Sequence, residues 1–233
     1  MNTIGTVRRI GILGGSFDPV HVGHLALGQA AISALKLDEL VLIPAGNPWQ
    51  KAGQQADGAH RLAMLRLAVA ALPANTQTAS WVVDDEEIRR QGPSYTLDTL
   101  ITLRKRYGPQ VPLMLIIGSD QFRRLDSWYQ WEMLFDYAHI AVTQRERVPL
   151  TDLPPPIEAI LNERGTGALP NTPSGQIIFF RMPAVPVSST MLRQHLQEGQ
   201  PVNSLLPMGV EAYIHRHGLY APPHSPSGNL AAD

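Results

Sequence analysis

Six short apolar runs alternate along this chain with segments whose apolar residues recur at helical spacing, and this alternation constrains the fold more than any other feature. The runs are Ile10–Leu13, Leu40–Ile43, Trp81–Val83, Leu113–Ile117, His139–Val142 and Ile177–Phe180. The periodicity between and after them predicts helices at about 22–35, 59–71, 95–107, 130–136, 189–197 and 208–217. Strands separated by helices pair in parallel through right-handed crossovers. The expected fold is therefore α/β: a doubly wound, mainly parallel sheet with helices on both faces.

With 233 residues, 44% of them apolar, the chain is long enough to bury a full core as one domain, read here as residues 1–221. Two stretches read as peripheral. Residues 146–175 carry Pro-Pro-Pro at 154–156 and Gly-Thr-Gly at 165–167, around a short helix from Ile157 to Glu163, and are expected to form a surface excursion. The Pro/Ser/Gly/Ala-rich stretch Pro222–Asp233 is expected to be a disordered tail.

The formal charge of −1 gives no general basic field, so nucleic acid is not an expected partner and any anion site must be local. Because the chain has no cysteine, thiolate nucleophiles, disulfides and sulfur-ligated metals are excluded. It shows neither the charged-then-apolar pattern of a signal peptide nor the roughly 18 uninterrupted apolar residues of a membrane helix. A cytoplasmic chain without a membrane partner is expected; association into a homo-oligomer stays open.

In open sheets of this kind, ligands bind beyond the carboxyl ends of the strands, where the strand order reverses. Four polar clusters follow strands here: Gly14–His24, Pro44–Lys51, Gly118–Asp120 and Ser188–Arg193. The first reads Gly-Gly-Ser-Phe-Asp-Pro-Val-His-Val-Gly-His, a strand, a glycine turn and a helix mouth with two histidines. Such a junction offers backbone N–H groups and the positive end of a helix dipole to a phosphate. Gly14 and Gly15 suit either a positive-φ turn or close approach of an anion to the backbone. Neither G-x-G-x-x-G nor a P-loop is present, so the phosphate device is a different one.

His21 and His24 lie three apart and project from one helix face. Solvation or backbone capping, and a metal site shared with Asp18, are the alternatives to ligand binding. Ser188-Ser189-Thr190 opens the helix at 189–197, where hydroxyls act as N-caps by default, and Arg193 falls one turn inside, able to meet an anion.

Taken together, Gly14–Leu25 and Val187-Ser-Ser-Thr-Met-Leu-Arg193 resemble the paired motifs of the nucleotidyltransferases that carry His-x-Gly-His. Ile43-Pro-Ala-Gly46, Pro93-Ser-Tyr-Thr96, Ile117-Gly-Ser-Asp120 with Trp128 eight residues on, and Tyr213-Ile with Gly218-Leu-Tyr220 are similar to the bacterial nicotinate-nucleotide adenylyltransferases within that group. The likeness runs in order from about residue 8 to 221. Two departures stand out: Asn47-Pro48-Trp49-Gln50-Lys51 replaces a common Pro-Pro-His-Lys, keeping the lysine and losing the histidine, and Gln144-Arg145-Glu146 replaces Arg-Pro-Gly.

The resemblance implies a Rossmann-like single domain that joins ATP and nicotinate mononucleotide to give deamido-NAD and pyrophosphate, with Mg²⁺ on the ATP phosphates and no protein-held metal. It assigns His24 to the α-phosphate oxygens and His21 to the neighbouring phosphates, with Gly14, Gly15, Ser16 and Phe17 forming the turn side. Ser189, Thr190 and Arg193 would hold the β- and γ-phosphates and Asp120 the adenosine ribose, with Ser188, Gly118 and Arg145 further ATP contacts. Asp120 as a helix N-cap is the alternative. Lys51 would meet the mononucleotide phosphate, Tyr95 and Thr96 the acid group, and Trp128 the pyridine ring. Core packing is the alternative for Trp128 and the expectation for Trp131. Acceptors such as nicotinamide mononucleotide or phosphopantetheine, and a non-catalytic nucleotide-binding role, are the competing readings. Class I aminoacyl-tRNA synthetases share a similar histidine pair, but this chain has neither their Lys-Met-Ser-Lys-Ser loop nor an anticodon domain.

Overall fold

The computed structural model describes residues 8–46, 56–73, 78–144 and 152–221. Every expected strand forms: β1 (Ile10–Gly15), β2 (Glu39–Pro44), β3 (Ser80–Val83), β4 (Leu113–Gly118) and β5 (His139–Gln144), then a two-residue β6 (Gly165–Thr166) that the apolar pattern did not mark, and β7 (Ile177–Arg181). They build one sheet in the order β3-β2-β1-β4-β5-β7-β6, with every neighbouring pair parallel. The chain winds outward from β1 in one direction and from β4 in the other. A crevice therefore opens between their carboxyl ends, and the loops after those two strands border it.

The helices are α1 (Val22–Leu35), α2 (Gly58–Ala70), α3 (Glu86–Arg89), α4 (Thr96–Tyr107), α5 (Ser119–Phe122), α6 (Leu134–Tyr137), α7 (Pro155–Arg164), α8 (Ser189–Gln197) and α9 (Val210–Arg216). Alternate strand residues feed two cores, one on each face of the sheet. Leu13, Leu40, Leu42, Met114 and Ile116 pack with Ile32 and Leu35 of α1, Met64 and Leu65 of α2, Leu192 of α8 and Ile214 of α9. On the other face, Ile12, Val41, Ile43, Leu115 and Ile117 pack with Leu97, Leu100 and Leu103 of α4, Phe122, Phe135 and Ile157. Each such side chain contributes about 1.5–3 kcal/mol when fully buried, so both faces are strongly anchored. Among the described residues, no helix is long and apolar enough to cross a membrane.

Two expectations change in detail. The helix expected at 130–136 is a 3₁₀ turn, Trp131–Met133, that runs directly into the single turn α6, and Gln130 before it takes a left-handed φ of 46° that bounds the segment on its N-terminal side. The helix expected at 208–217 starts only at Val210, since Gly209 also has positive φ, 85°. Of the segment 146–175, expected as a surface excursion, the described part, 152–175, contains α7, whose Ile157 is fully buried, and β6, which pairs with β7. The expected tail, 222–233, lies outside the described residues.

At the opposite end of the sheet from the crevice, His139 opens β5 with no exposed surface. Its Nδ1 accepts from the Gln176 N–H at 3.1 Å and its Nε2 lies 2.7 Å from the Thr172 carbonyl. Those two partners fix a neutral ring with its proton on Nε2. Burial pushes its pKa down.

Candidate active site

The turn between β1 and α1 is built from inside outward. Phe17 takes a left-handed φ of 49° and its ring is buried beneath the turn, edge-on to His24 with centroids 4.9 Å apart. His21 is the N-cap residue of α1, and its backbone N–H donates to His24 Nδ1 at 3.2 Å. The two imidazoles stack at 3.8 Å, 26° from parallel. Because a backbone donor occupies Nδ1, a neutral His24 carries its proton on Nε2. Capping and ligand binding are therefore compatible for this residue: one nitrogen serves the helix and the other offers a donor.

Asp18 sits at the centre of the turn, 1% exposed. Its Oδ1 accepts from the Tyr220 hydroxyl at 2.6 Å and from the Ala56 N–H at 3.2 Å, and its Oδ2 lies 3.9 Å from Arg193 Nη1. Burial and the adjoining carboxylate push the Tyr220 pKa up, keeping it a donor. Asp18 thus acts as a strut, and the metal reading that joined it to the two histidines does not fit a carboxylate so fully engaged.

The chain's second polar cluster docks directly on this turn. Arg193 Nη1 donates to the Asp18 carbonyl at 2.7 Å and Ser189 Oγ donates to the Pro19 carbonyl at 3.0 Å. Ser188 is the N-cap of α8, its Oγ accepting from the Met191 N–H at 3.2 Å, while Thr190 Oγ1 lies 3.4 Å from Arg193 Nη2. Two motifs some 170 residues apart in sequence are joined by these contacts. Gly14, at the end of β1, faces outward, and a Cβ built on it meets no atom of the described residues within 4 Å. An open backbone at this point leaves room for a ligand to lie against it.

A cavity of about 130 Å³ opens beside the same turn, lined by Gly14, Gly15 and Ser16, and by Ser94, Tyr95, Thr96 and Trp128 among others. Trp128 packs on the core that α4 covers and also lines this cleft. Trp131 packs on the core, as expected. Tyr95 precedes the first turn of α4 and stacks on Tyr129 at 4.4 Å. Asp120 is exposed in α5 just after β4; the N-cap there is Gly118, which sets aside the capping reading of Asp120. A Cβ on Gly118 would fall 2.5 Å from Asp120 Oδ1, so the glycine lets the carboxylate fold back over the strand end. His21, His24, Asp120 and the α8 cluster do not line the cavity itself. Lys51 and Arg145 lie outside the described residues.

The family model described as cytidylyltransferase-like matches residues 12–195. Over 217 residues the chain is 42% identical to a probable nicotinate-nucleotide adenylyltransferase of Herminiimonas arsenicoxydans, covering 91% of this chain and 97% of that one. It is 41% identical to the protein so named in Acidithiobacillus ferrooxidans, over 91% and 95% of the two chains. The chain belongs to the nicotinate-nucleotide adenylyltransferase family. Its fold is also that of the Plasmodium falciparum nicotinic acid mononucleotide adenylyltransferase solved with NaAD, at a TM-score of 0.71 and 20% identity over 91% of this chain and 97% of that one. A Vibrio parahaemolyticus structure titled a putative nicotinate-nucleotide adenylyltransferase matches with a TM-score of 0.60 at 16% identity, over 91% and 95%.

Two charged side chains beside the site were missed by sequence reasoning. Arg61, 1% exposed, donates to the carbonyls of Ala56 (3.2 Å), Ser16 (2.8 Å), Ala45 (2.6 Å) and Gly46 (3.3 Å). It clamps the loops after β1 and β2 together; burial lowers its pKa while Asp18 opposes the shift. A signal for it exists, because Arg61 falls on the stripe of α2 that also carries Met64, Leu65 and Ala68. Glu87 in α3 lines the cleft, and its pKa is raised by desolvation. No periodicity marks it.

Proposed function

We propose that this protein transfers the adenylyl group of ATP to nicotinate mononucleotide, giving deamido-NAD and pyrophosphate in NAD biosynthesis. The observation that carries this reading is the docking of α8 on the β1–α1 turn through Arg193 and Ser189, beside an aromatic cleft at the sheet's switch point. The curated relatives that bear this activity in their names align over more than nine-tenths of the chain and support the same reading.

A phosphate oxygen of the mononucleotide attacks the α-phosphorus of ATP in line, a new P–O bond forms, and the bond to the β-phosphate oxygen breaks to release pyrophosphate. Little covalent work falls to the protein, so positioning and charge stabilisation supply the catalysis. His24 donates from Nε2 to the α-phosphate oxygens, and His21 neighbours the adjoining phosphates. The Gly14–Phe17 backbone takes the turn side, with Gly14 open to close approach. Ser188, Ser189, Thr190 and Arg193 hold the β- and γ-phosphates, and Gly118 and Asp120 meet the ribose. The mononucleotide lies in the cleft, its ring on Trp128 and its acid group at Tyr95 and Thr96; Lys51 meets its phosphate and Arg145 assists ATP. Mg²⁺, when bound, would lie on the ATP phosphates and neutralise their charge, since it favours phosphate oxygens and water.

The direct test is pyrophosphate release by the purified protein with ATP and either the acid or the amide mononucleotide. Turnover of the acid, with the amide slower, is expected. Release with neither acceptor would overturn the reading.

A further inference from the structure

Glu87 has no role in the reaction above, yet its position in the cleft wall is tightly specified. Thr99 Oγ1 donates its single proton to Glu87 Oε1 at 2.7 Å and in turn accepts from Arg90 Nη1 at 3.0 Å. The Gly46 N–H and the Ser94 hydroxyl also bond to the carboxylate. Gly46 belongs to the loop after β2, while Ser94 and Thr99 flank the start of α4, the end of the cleft to which the acid group is assigned. The approach is close: a Cβ on Gly46 would fall 2.0 Å from the Glu87 carbonyl oxygen, so only glycine lets the loop reach α3.

We propose that Glu87 is a positioning residue for the acid substrate: by accepting from Gly46, Ser94 and Thr99 at once, it fixes the loop after β2 against the first turn of α4 and sets the shape of the mononucleotide end of the cleft. Three donors from two separate segments converge on one carboxylate, which makes it a joint between walls. Desolvation disfavours its charged form, and a half-buried carboxylate contributes little net stability compared with an apolar side chain of the same size. Its value lies in geometry. Glutamine at this position keeps one acceptor oxygen but sets an amide N–H₂ against the remaining donors, so the joint loosens without losing its volume.

The inference rests on the proposed acid-mononucleotide reading, and the experiment separates the two. Binding of nicotinate mononucleotide and of ATP is measured by calorimetry, and steady-state turnover by pyrophosphate release, for wild type, Glu87→Gln, Thr99→Val and Thr99→Ser. The Gln and Val variants are expected to raise Kd and KM for the mononucleotide by about tenfold or more. KM for ATP and kcat should stay within about threefold, and Thr99→Ser, which keeps the hydroxyl, should behave as wild type. Parallel losses on both substrates, or an unchanged mononucleotide Kd in folded variants, would overturn the assignment. If Glu87→Gln fails to fold, the Thr99 pair decides by the same criterion. A wild type that binds the mononucleotide but releases no pyrophosphate would sink the reaction alone, and the Kd comparison would still judge Glu87; a wild type that does not bind it would sink both.

Discussion

A neutral His24 has one proton to give, and the backbone decides where it sits. The His21 N–H occupies Nδ1, so the donor is Nε2, held by the Phe17 ring on one side and the His21 ring on the other. In the proposed reaction, a donor fixed before substrate arrives costs no reorganisation when charge develops on the α-phosphate. His24→Ala should therefore lower kcat by roughly 10²–10³ with little change in KM, measured by pyrophosphate release; an unchanged kcat would refute the role. Tyr220 acts at the same scale through Asp18. Removing its hydroxyl leaves a buried carboxylate short of one donor, which costs about 1–3 kcal/mol. Tyr220→Phe should lose that much stability in urea unfolding, and kcat should fall with it, because the Asp18 backbone also carries Arg193.

Among the elements, α8 separates a structural from a functional contribution. Ser188 caps its first turn, and Ser188→Ala should cost about 1 kcal/mol, read as a lower Tm. Ser188→Asp restores a cap and should restore Tm, but it sets a negative charge at the proposed seat of the β- and γ-phosphates, so KM for ATP should rise several-fold while stability recovers. Recovery of both together would return Ser188 to capping alone. This division also explains what the sequence could reveal of the site. The positions of candidate residues such as His21, His24, Ser188 and Asp120 at strand–helix junctions are legible because these junctions leave local marks in the sequence. Residues that brace junctions from elsewhere are not. Arg61 reaches four carbonyls from inside α2, and only its place on an apolar stripe hints at burial; Glu87 finds its three donors in two other segments, a relation no local pattern encodes.

For the whole molecule, the positions of all strands but β6 and most helix limits were readable from periodicity, because β1, β2, β4, β5 and β7 are mostly buried and read as short apolar runs. Strand order was not, since it depends on which edge each crossover chooses, and β6 escaped because two residues cannot show a period. The small elements α3 and α5 escaped for a similar reason. His139 shows what the completed sheet adds. A histidine opening an apolar run looks like a surface residue at a strand end, yet pairing of β5 with β4 and β7 buries it between the Thr172 carbonyl and the Gln176 N–H. Its folded pKa lies below 6.5, so between that value and 6.5 the unfolded chain binds more protons than the folded one. Stability from this group is full above about pH 6.5 and is lost as pH falls, with a slope approaching but not exceeding about 1.4 kcal/mol per pH unit. Glu87 works the other way: its raised pKa makes the folded state the better proton binder just above 4.5, so its share of stability declines as pH rises through that window. The two effects are separated by substitution. His139→Gln, which has one donor and one acceptor for the same two partners, should be less stable than wild type at pH 7.5 but lose less between pH 7.5 and 5.5 in urea titrations, so the two curves converge on acidification. Parallel curves would mean that the ring does not stay neutral within the sheet.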